Sequence, residues 1–398
     1  MRKTYAIIAL LALVATLFVF PTAAPETSAG GYFQAISPAI YGDNVITAKG
    51  EKNLYALKIS DGSEVWKVET TDRVYSSPTV DGDKVYVVLA TEIFPYRHLH
   101  CIDAATGKVE WKQPIQKGVF SKPLVQDGYI VVGTTGINAG TGTIEVYKTD
   151  GTYLWTKWFK GWVTGAPLLV GENLMVGSFF GQIEIVKIEN GKRSYDWKKP
   201  FPTYGSGPYP WNGEDSNGNR KGSAIECDLT LKDGKIFFGS YDSHLYCINV
   251  SDGEPNWGFE ENNADWSHKV RWCRSAPLVI GDYFFVGCEG SNEKVNGLYK
   301  FSVASGKKLG FFETKEYVNS SPIQFGENVI FGTDSGKVAC VDQSLTEVWS
   351  TQVSPEYVSG SFVKSGNNVI FTSRGKNDFS KTICIDGTNG SIKWEKQQ

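Results

Sequence analysis

Three short stretches of this chain carry residue types at spacings that could do chemistry. "CIDAATGKVEW", residues 101–111, sets Cys101 two residues from Asp103 and follows them with Thr106 and Gly107, the ingredients of a redox, metal or cofactor site. "RHLHC" holds His98 and His100 two apart, and a strand would point both to one side, as two metal ligands require. "DSNGNRKGSAIE" places Asp215, Asn217, Asn219 and Glu226 as hard oxygen ligands at the first, third, fifth and twelfth positions of a calcium loop. Arg220 stands where such a loop has glycine, so an Asn/Gly-rich surface turn is the simpler reading and a calcium site the alternative.

The elements that must position these residues are repeated. The first stretch recurs as "ALKISDGSEVW", "VYKTDGTYLW", "IVKIENGKRSYDW", "CINVSDGEPNW", "CVDQSLTEVW" and "CIDGTNGSIKW", with a weaker copy, "KFSVASGKKLGF". Ahead of each copy runs an apolar strand, a Gly or Asp-Gly turn and a second apolar strand, as in "SSPTVDGDKVYVV" from Ser76 and "SAPLVIGDYFFVG" from Ser275. One unit therefore reads strand, tight turn, strand, loop, strand, turn, strand, with a period of about 40 to 45 residues, the signature of a propeller blade. Eight units account for residues 30–398, and the expected fold is an all-β, eight-bladed propeller of four-stranded antiparallel blades forming a single domain. Pro38, Pro78, Pro123, Pro167, Pro277 and Pro322 are placed in the first strand of their blades, whose free edge faces the channel and tolerates a missing donor.

Repetition changes the reading of the cysteines and histidines. Cys101, Cys247, Cys340 and Cys384 share one position that Ala56, Val146 and Ile185 fill in other copies, which predicts a small buried apolar side chain. His98 aligns with Asn53, Gln182 and His244, and His100 with Tyr55 and Tyr246, so half-buried polar positions of the repeat account for both, with a metal pair the lesser alternative. Cys273 and Cys288 flank a hairpin that turns near Gly281, and a cross-strand disulfide is one alternative for them.

The unit resembles the repeat of pyrroloquinoline-quinone (PQQ)-type propellers, whose tryptophan-docking motif has Ala, Asp, Thr-Gly and a terminal Trp; Cys101 takes the alanine place. The resemblance runs from about residue 36 to the C-terminus. It implies that each Trp packs between neighbouring blades: Trp66, Trp111, Trp257 and Trp394 at full motif length, Trp155 and Trp349 in copies one residue shorter, and Trp197 in a copy two longer, with Phe311 replacing Trp in the weak copy. One branch of the family, the quinone-dependent dehydrogenases, uses a vicinal disulfide, calcium and a catalytic aspartate. This chain has no adjacent cysteine pair, so PQQ is not expected. The other branch is non-catalytic and includes the scaffold lipoprotein of outer-membrane β-barrel assembly; the sequence is similar to it in size and blade number.

A formal charge of −3 spread over 398 residues sets up no field for a polyanion, so nucleic acid is not an expected partner. The N-terminus places Arg2 and Lys3 before an apolar run from Tyr5 to Phe20 and then small residues. That is the plan of a secretory signal over residues 1–29, cleaved after Ala29, or after Ala23 or Ala24. The alternative is an uncleaved short anchor, and no cysteine follows to carry a lipid. An extracytoplasmic location is expected, with any membrane contact confined to this segment.

Departures from the repeat mark the candidate site. Long connections at residues 202–222 and 258–272 share one face with long loops at 89–98, 134–142 and 288–297. They would bring Tyr204, Tyr209, Trp211, Trp266, His268, Arg271, Trp272 and Arg274 to adjacent blades, a mixture of aromatics and arginine suited to a protein or glycan partner. The alternative is that these inserts cap the channel. The expected function is a monomeric, non-catalytic binding or assembly scaffold of the cell envelope; an enzyme or carbohydrate-binding protein using the channel mouth is the second reading.

Overall fold

Strands such as "KVYVVL" are apolar on both faces, so a single sheet of them cannot face water on either side and must be covered twice. The computed structural model describes residues 36–49, 52–70, 74–89, 97–115, 118–119, 121–135, 141–198, 200–202, 224–241, 244–257, 273–288, 296–354, 357–358, 360–374 and 380–397. These residues form eight antiparallel sheets, each with its strands in chain order, and the third gains a short extra strand at Gly118–Val119. In the second blade the strands are β1 (Thr79–Asp81), β2 (Lys84–Leu89), β3 (Arg97–Asp103) and β4 (Val109–Ile115). Gly82 opens the β1–β2 turn at φ +58°, where a left-handed residue lets a two-residue hairpin follow the strands' twist. The six prolines stand one residue ahead of the three-residue inner strands rather than inside them, where the missing N–H takes no ladder bond away.

The core is eight apolar layers, one at each junction between consecutive blades. Alternation along a strand divides each blade between two layers. Ile46, Leu54 and Trp66 of the first blade face the second, while Val45, Tyr55 and Leu57 face the eighth. That last layer closes the ring, helped by hydrogen bonds from the Ser361 amide to Ser37 Oγ (2.9 Å) and from Thr372 Oγ1 to the Ile36 carbonyl (2.6 Å).

"CIDAATGKVEW" is part of this joinery. Asp103 Oδ1 accepts hydrogen bonds from the Thr106 amide (2.9 Å) and hydroxyl (2.6 Å), which shape the turn and hold the carboxyl below its usual range. Gly107, at φ +73°, receives the Trp66 indole of the preceding blade so closely that a Cβ there would lie 2.7 Å from the ring. Trp66 Nε1 then donates to the Ala104 carbonyl (2.9 Å). Trp155, Trp197, Trp257, Trp349 and Trp394 make the same bond to the next blade at 2.8–3.1 Å, and Trp111 lies against Gly151. Cys101, Cys247, Cys340 and Cys384 are buried directly across the ladder from their tryptophans, and burial raises each thiol well above its ordinary pKa. They fill space beside the dock, as their repeat position predicts.

The sixth blade corrects the sequence reading. Lys300 pairs with Gly310 beside the same bulge that follows Cys247 in the fifth blade, so Gly310, not Phe311, occupies the tryptophan register. Lys300 Nζ reaches across to the Gln343 carbonyl (2.7 Å), replacing the indole donor. Leu345, at φ +65°, stands in the turn where other blades carry the docking glycine and lies against Gly310. Cation and leucine together thus substitute for ring and glycine.

Trp394 is the docking indole of the seam between the last and first blades, bonded to the Ile59 carbonyl. Trp394→Ala should cost about 3–5 kcal/mol in urea unfolding; a loss under about 1 kcal/mol would show that closure does not depend on this dock.

Candidate functional site at the channel mouth

The connections between blades and the loops between second and third strands share one face, and two columns of the repeat deliver side chains to it. The first column is the residue just ahead of the position that braces the second strand. In four blades that brace is a serine: Ser76, Ser121, Ser275 and Ser320 each accept from the amide twelve residues on, and Cys227 does the same in the fifth. The column itself holds Tyr75, Thr164, Glu226, Arg274 and Asn319, the last four on consecutive blades four to seven. The second column, two residues past the end of the second strand, holds Phe179, Tyr241 and Asp334, whose amides bond to the Trp162, Ala224 and Tyr317 carbonyls at 2.8–3.0 Å. Repeated backbone bonds therefore fix where these side chains start, and only their chemistry varies.

Three of them form one unit, with Glu226 and Tyr241 buried and Arg274 half-buried. Arg274 Nε donates to Tyr241 Oη (2.7 Å) and stands 3.4 Å from Glu226 Oε2, to which the Tyr241 hydroxyl also donates. Burial raises the Glu226 carboxyl above the usual carboxylate range, against the pull of Arg274 and Tyr241; burial and Glu226 together raise the Tyr241 phenol. Phe179 packs edge-on to Tyr241 at 6.4 Å between centroids, and Trp162 tilts onto Phe179 at 5.3 Å, extending an aromatic arc over the fourth and fifth blades. On the other side, Asn319 Nδ2 donates to Asp334 Oδ2 (2.7 Å). Asp334 lies in the field of Arg274, yet burial pushes its carboxyl up to about 6.

This arrangement leaves hydrogen-bonding capacity unspent. Thr164 Oγ1, Glu226 Oε1, Asn319 Oδ1 and Asp334 Oδ1 are buried without a hydrogen-bond partner. All four are acceptors, so unspent hydrogen-bonding capacity lies just beneath the surface of the mouth. A buried acceptor left open costs about 1–3 kcal/mol.

Of the residues expected on this face, Arg274 lies at its centre. Tyr204, Tyr209, Trp211, Trp266, His268, Arg271 and Trp272 lie outside the described residues, as do Asp215, Asn217 and Asn219 and the N-terminal segment 1–29. The described member of the calcium set, Glu226, has one oxygen engaged by Tyr241 and Arg274. His98 and His100 are buried with rings 6.0 Å apart, and His100 Nδ1 meets the His98 carbonyl at 2.9 Å. Among the described residues no three His, Cys, Asp or Glu side chains gather around a common point, and no helix is long and apolar enough to cross a membrane. Sequence reading missed Thr164, Tyr241, Asn319 and Asp334, although writing the blades under one another at the Ser-x-Pro motif would have aligned the first column.

Fold and motif define a PQQ-repeat propeller, its blades docked by tryptophan and its variation gathered at one mouth. The family model described as outer membrane protein assembly factor BamB matches residues 22–94, 93–307 and 141–396, and the chain belongs to this family. It is 25% identical over 345 residues to the assembly factor BamB of Burkholderia pseudomallei, covering 83% of this chain and 82% of that one. The Yersinia pestis protein of that name is 21% identical over 261 residues, 60% of each chain. The crystal structure of BamB from Moraxella catarrhalis superposes with a TM-score of 0.67 at 16% identity, over 88% of this chain and 96% of that one. A europium-containing methanol dehydrogenase shares the fold, with a TM-score of 0.64 at 13% identity over 89% and 83% of the two chains.

The raised Asp334 pKa gives stability a predictable pH dependence. The folded value, about 6, lies above the ordinary 3.8, so the folded protein takes up this proton first. Its contribution to stability therefore rises as pH falls from 7 through 6 and levels off near 4. The thermal midpoint of wild type should gain on that of Asp334→Asn between pH 7.5 and 5, and parallel curves would remove Asp334 from the account.

Proposed function

We propose that this protein is an exported, non-catalytic assembly scaffold that holds a protein partner against its loop-elaborated face. Family membership supports the class, since its relatives are named as outer membrane protein assembly factors. The observation that carries the site is the arc of Thr164, Glu226, Arg274 and Asn319 across four consecutive blades, polar groups of four chemistries beside an aromatic flank. The partner is an outer-membrane assembly component that docks on the half-buried Arg274 and the aromatic flank beside it. Arginine held by buried partners at the centre of such a patch is a typical anchor of binding energy. The chain acts as a monomer within the envelope, and the signal over residues 1–29 delivers it there.

The test is affinity capture from native envelopes with wild type, Trp211→Ala/Trp272→Ala and Arg274→Ala/Glu226→Gln, the last keeping the buried cluster neutral so that the fold is preserved. Loss of the centre should weaken partner binding by about 2 kcal/mol, roughly thirty-fold in Kd. If both variants, confirmed as folded, recover the same assembly component as wild type with equal affinity, the mouth is not the binding face. Competition by oligosaccharide with no protein partner retained would favour glycan recognition instead.

A further inference from the structure

Two cysteines outside the docking column face each other across one blade. Cys273 and Cys288 are both fully buried, and their Sγ atoms stand 2.8 Å apart. Their separation of fifteen residues is the register of a short pairing that recurs through the ring. Val74 bridges Leu89 in the second blade, and Val119 pairs with Thr134 in the third. The Tyr75 amide bonds to the Val88 carbonyl (2.9 Å), so residues 74 and 89 form the neighbouring non-hydrogen-bonded pair, where facing side chains approach most closely. In the sixth blade the Gly287 amide bonds to Ser275 Oγ (3.2 Å), as the Val88 amide bonds to Ser76 Oγ in the second, which fixes the same register.

Composition at these two positions is selective. Elsewhere the first carries a β-branched apolar residue, as at Val74, Val163, Ile225, Val318 and Val358, and the second carries Leu89, Ser178, Ser240, Thr333 and Ser373. Only the sixth blade, among those described, has cysteine in either, and it has cysteine in both. A lone buried cysteine would be ordinary packing, but a matched pair at directly opposed positions satisfies the reach a disulfide needs, with Cα atoms about 4.5 Å apart in such a pair.

We propose that Cys273 and Cys288 are joined by a disulfide in the exported protein. Each thiol loses its proton and the pair loses two electrons to a disulfide-bearing oxidant of the envelope, which is reduced to two thiols and takes up both protons. The bond ties residue 273 to the second strand of its own blade. That residue ends the long connection that begins at residue 258, and its neighbour is Arg274, so the staple holds the backbone from which the central arginine of the mouth extends. The proposal rests on the export reading for its oxidising compartment alone.

The test counts thiols under denaturing conditions in the full chain, purified without reductant from the compartment where fractionation finds it. The bridge predicts five of the seven cysteines titrating and a 273–288 linked peptide two mass units light. It also predicts a thermal midpoint that reductant lowers in wild type and leaves unchanged in Cys273→Val/Cys288→Thr, a pair borrowed from the blade that carries Val119 and Thr134. Seven free thiols in the exported chain, or a linkage of Cys273 to Cys227, would overturn the proposal. If the chain is instead found in the cytosol, bridging of that material by oxidised glutathione supports the pairing while the export reading fails; no bridging overturns the pairing as well.

Discussion

Contact between an indole of one blade and a left-handed glycine of the next is the constraint on which the ring depends. A blade has no interior of its own, because its strands are apolar on both faces and the core lies entirely in the layers between blades. Such layers could slide, since apolar contact is not directional. The Trp66 dock on Gly107 removes that freedom: the ring enters a space only glycine leaves open, and its single donor must find one carbonyl. Hydrophobic area drives the stacking, and the dock sets its register.

The sixth blade shows which part of this device is indispensable. Indole and glycine are both gone there, yet Lys300 still supplies a donor to the equivalent carbonyl at Gln343, and Leu345 fills the volume that the ring would have taken. Donor and volume can come from different residues so long as both are present. Lysine does this at the cost of partial desolvation, which lowers its pKa, and its ammonium gains the face of Tyr283 at 3.6 Å.

Because the joinery repeats, every blade presents equivalent positions at the mouth, and function can be written there without disturbing the ring. Thr164, Glu226, Arg274 and Asn319 are the same structural position with four different chemistries. Their placement costs little backbone specification, since the serine brace recurs in four blades, a cysteine replaces it in a fifth, and the loop amides recur in three. What costs stability is the burial of carboxylates and open acceptors around Arg274, shown by the raised Glu226 and Asp334 pKa values. Sites that retain such costs are commonly those that meet a partner.

Eight blades and their strand order were legible from the chain alone, and the docking role of "CIDAATGKVEW" from the family its repeat resembles. Apolar period, turn glycines and terminal tryptophans are local properties, and repetition averages out the errors of any one copy. The Phe311 assignment failed because it followed the aromatic residue rather than the motif length, which from Lys300 ends at Gly310, the residue that the ladder pairs with Lys300. Arg274 and Glu226 were singled out separately, one as a surface arginine and one as a calcium ligand. Their union with Tyr241, and the neighbouring pair of Asn319 and Asp334, became visible only in three dimensions. The sequence by itself determined the blade, because a blade is built from neighbours along the chain. Tertiary structure decided the mouth, because its residues are brought side by side only when the ring closes and turns positions some 45 residues apart into adjacent ones.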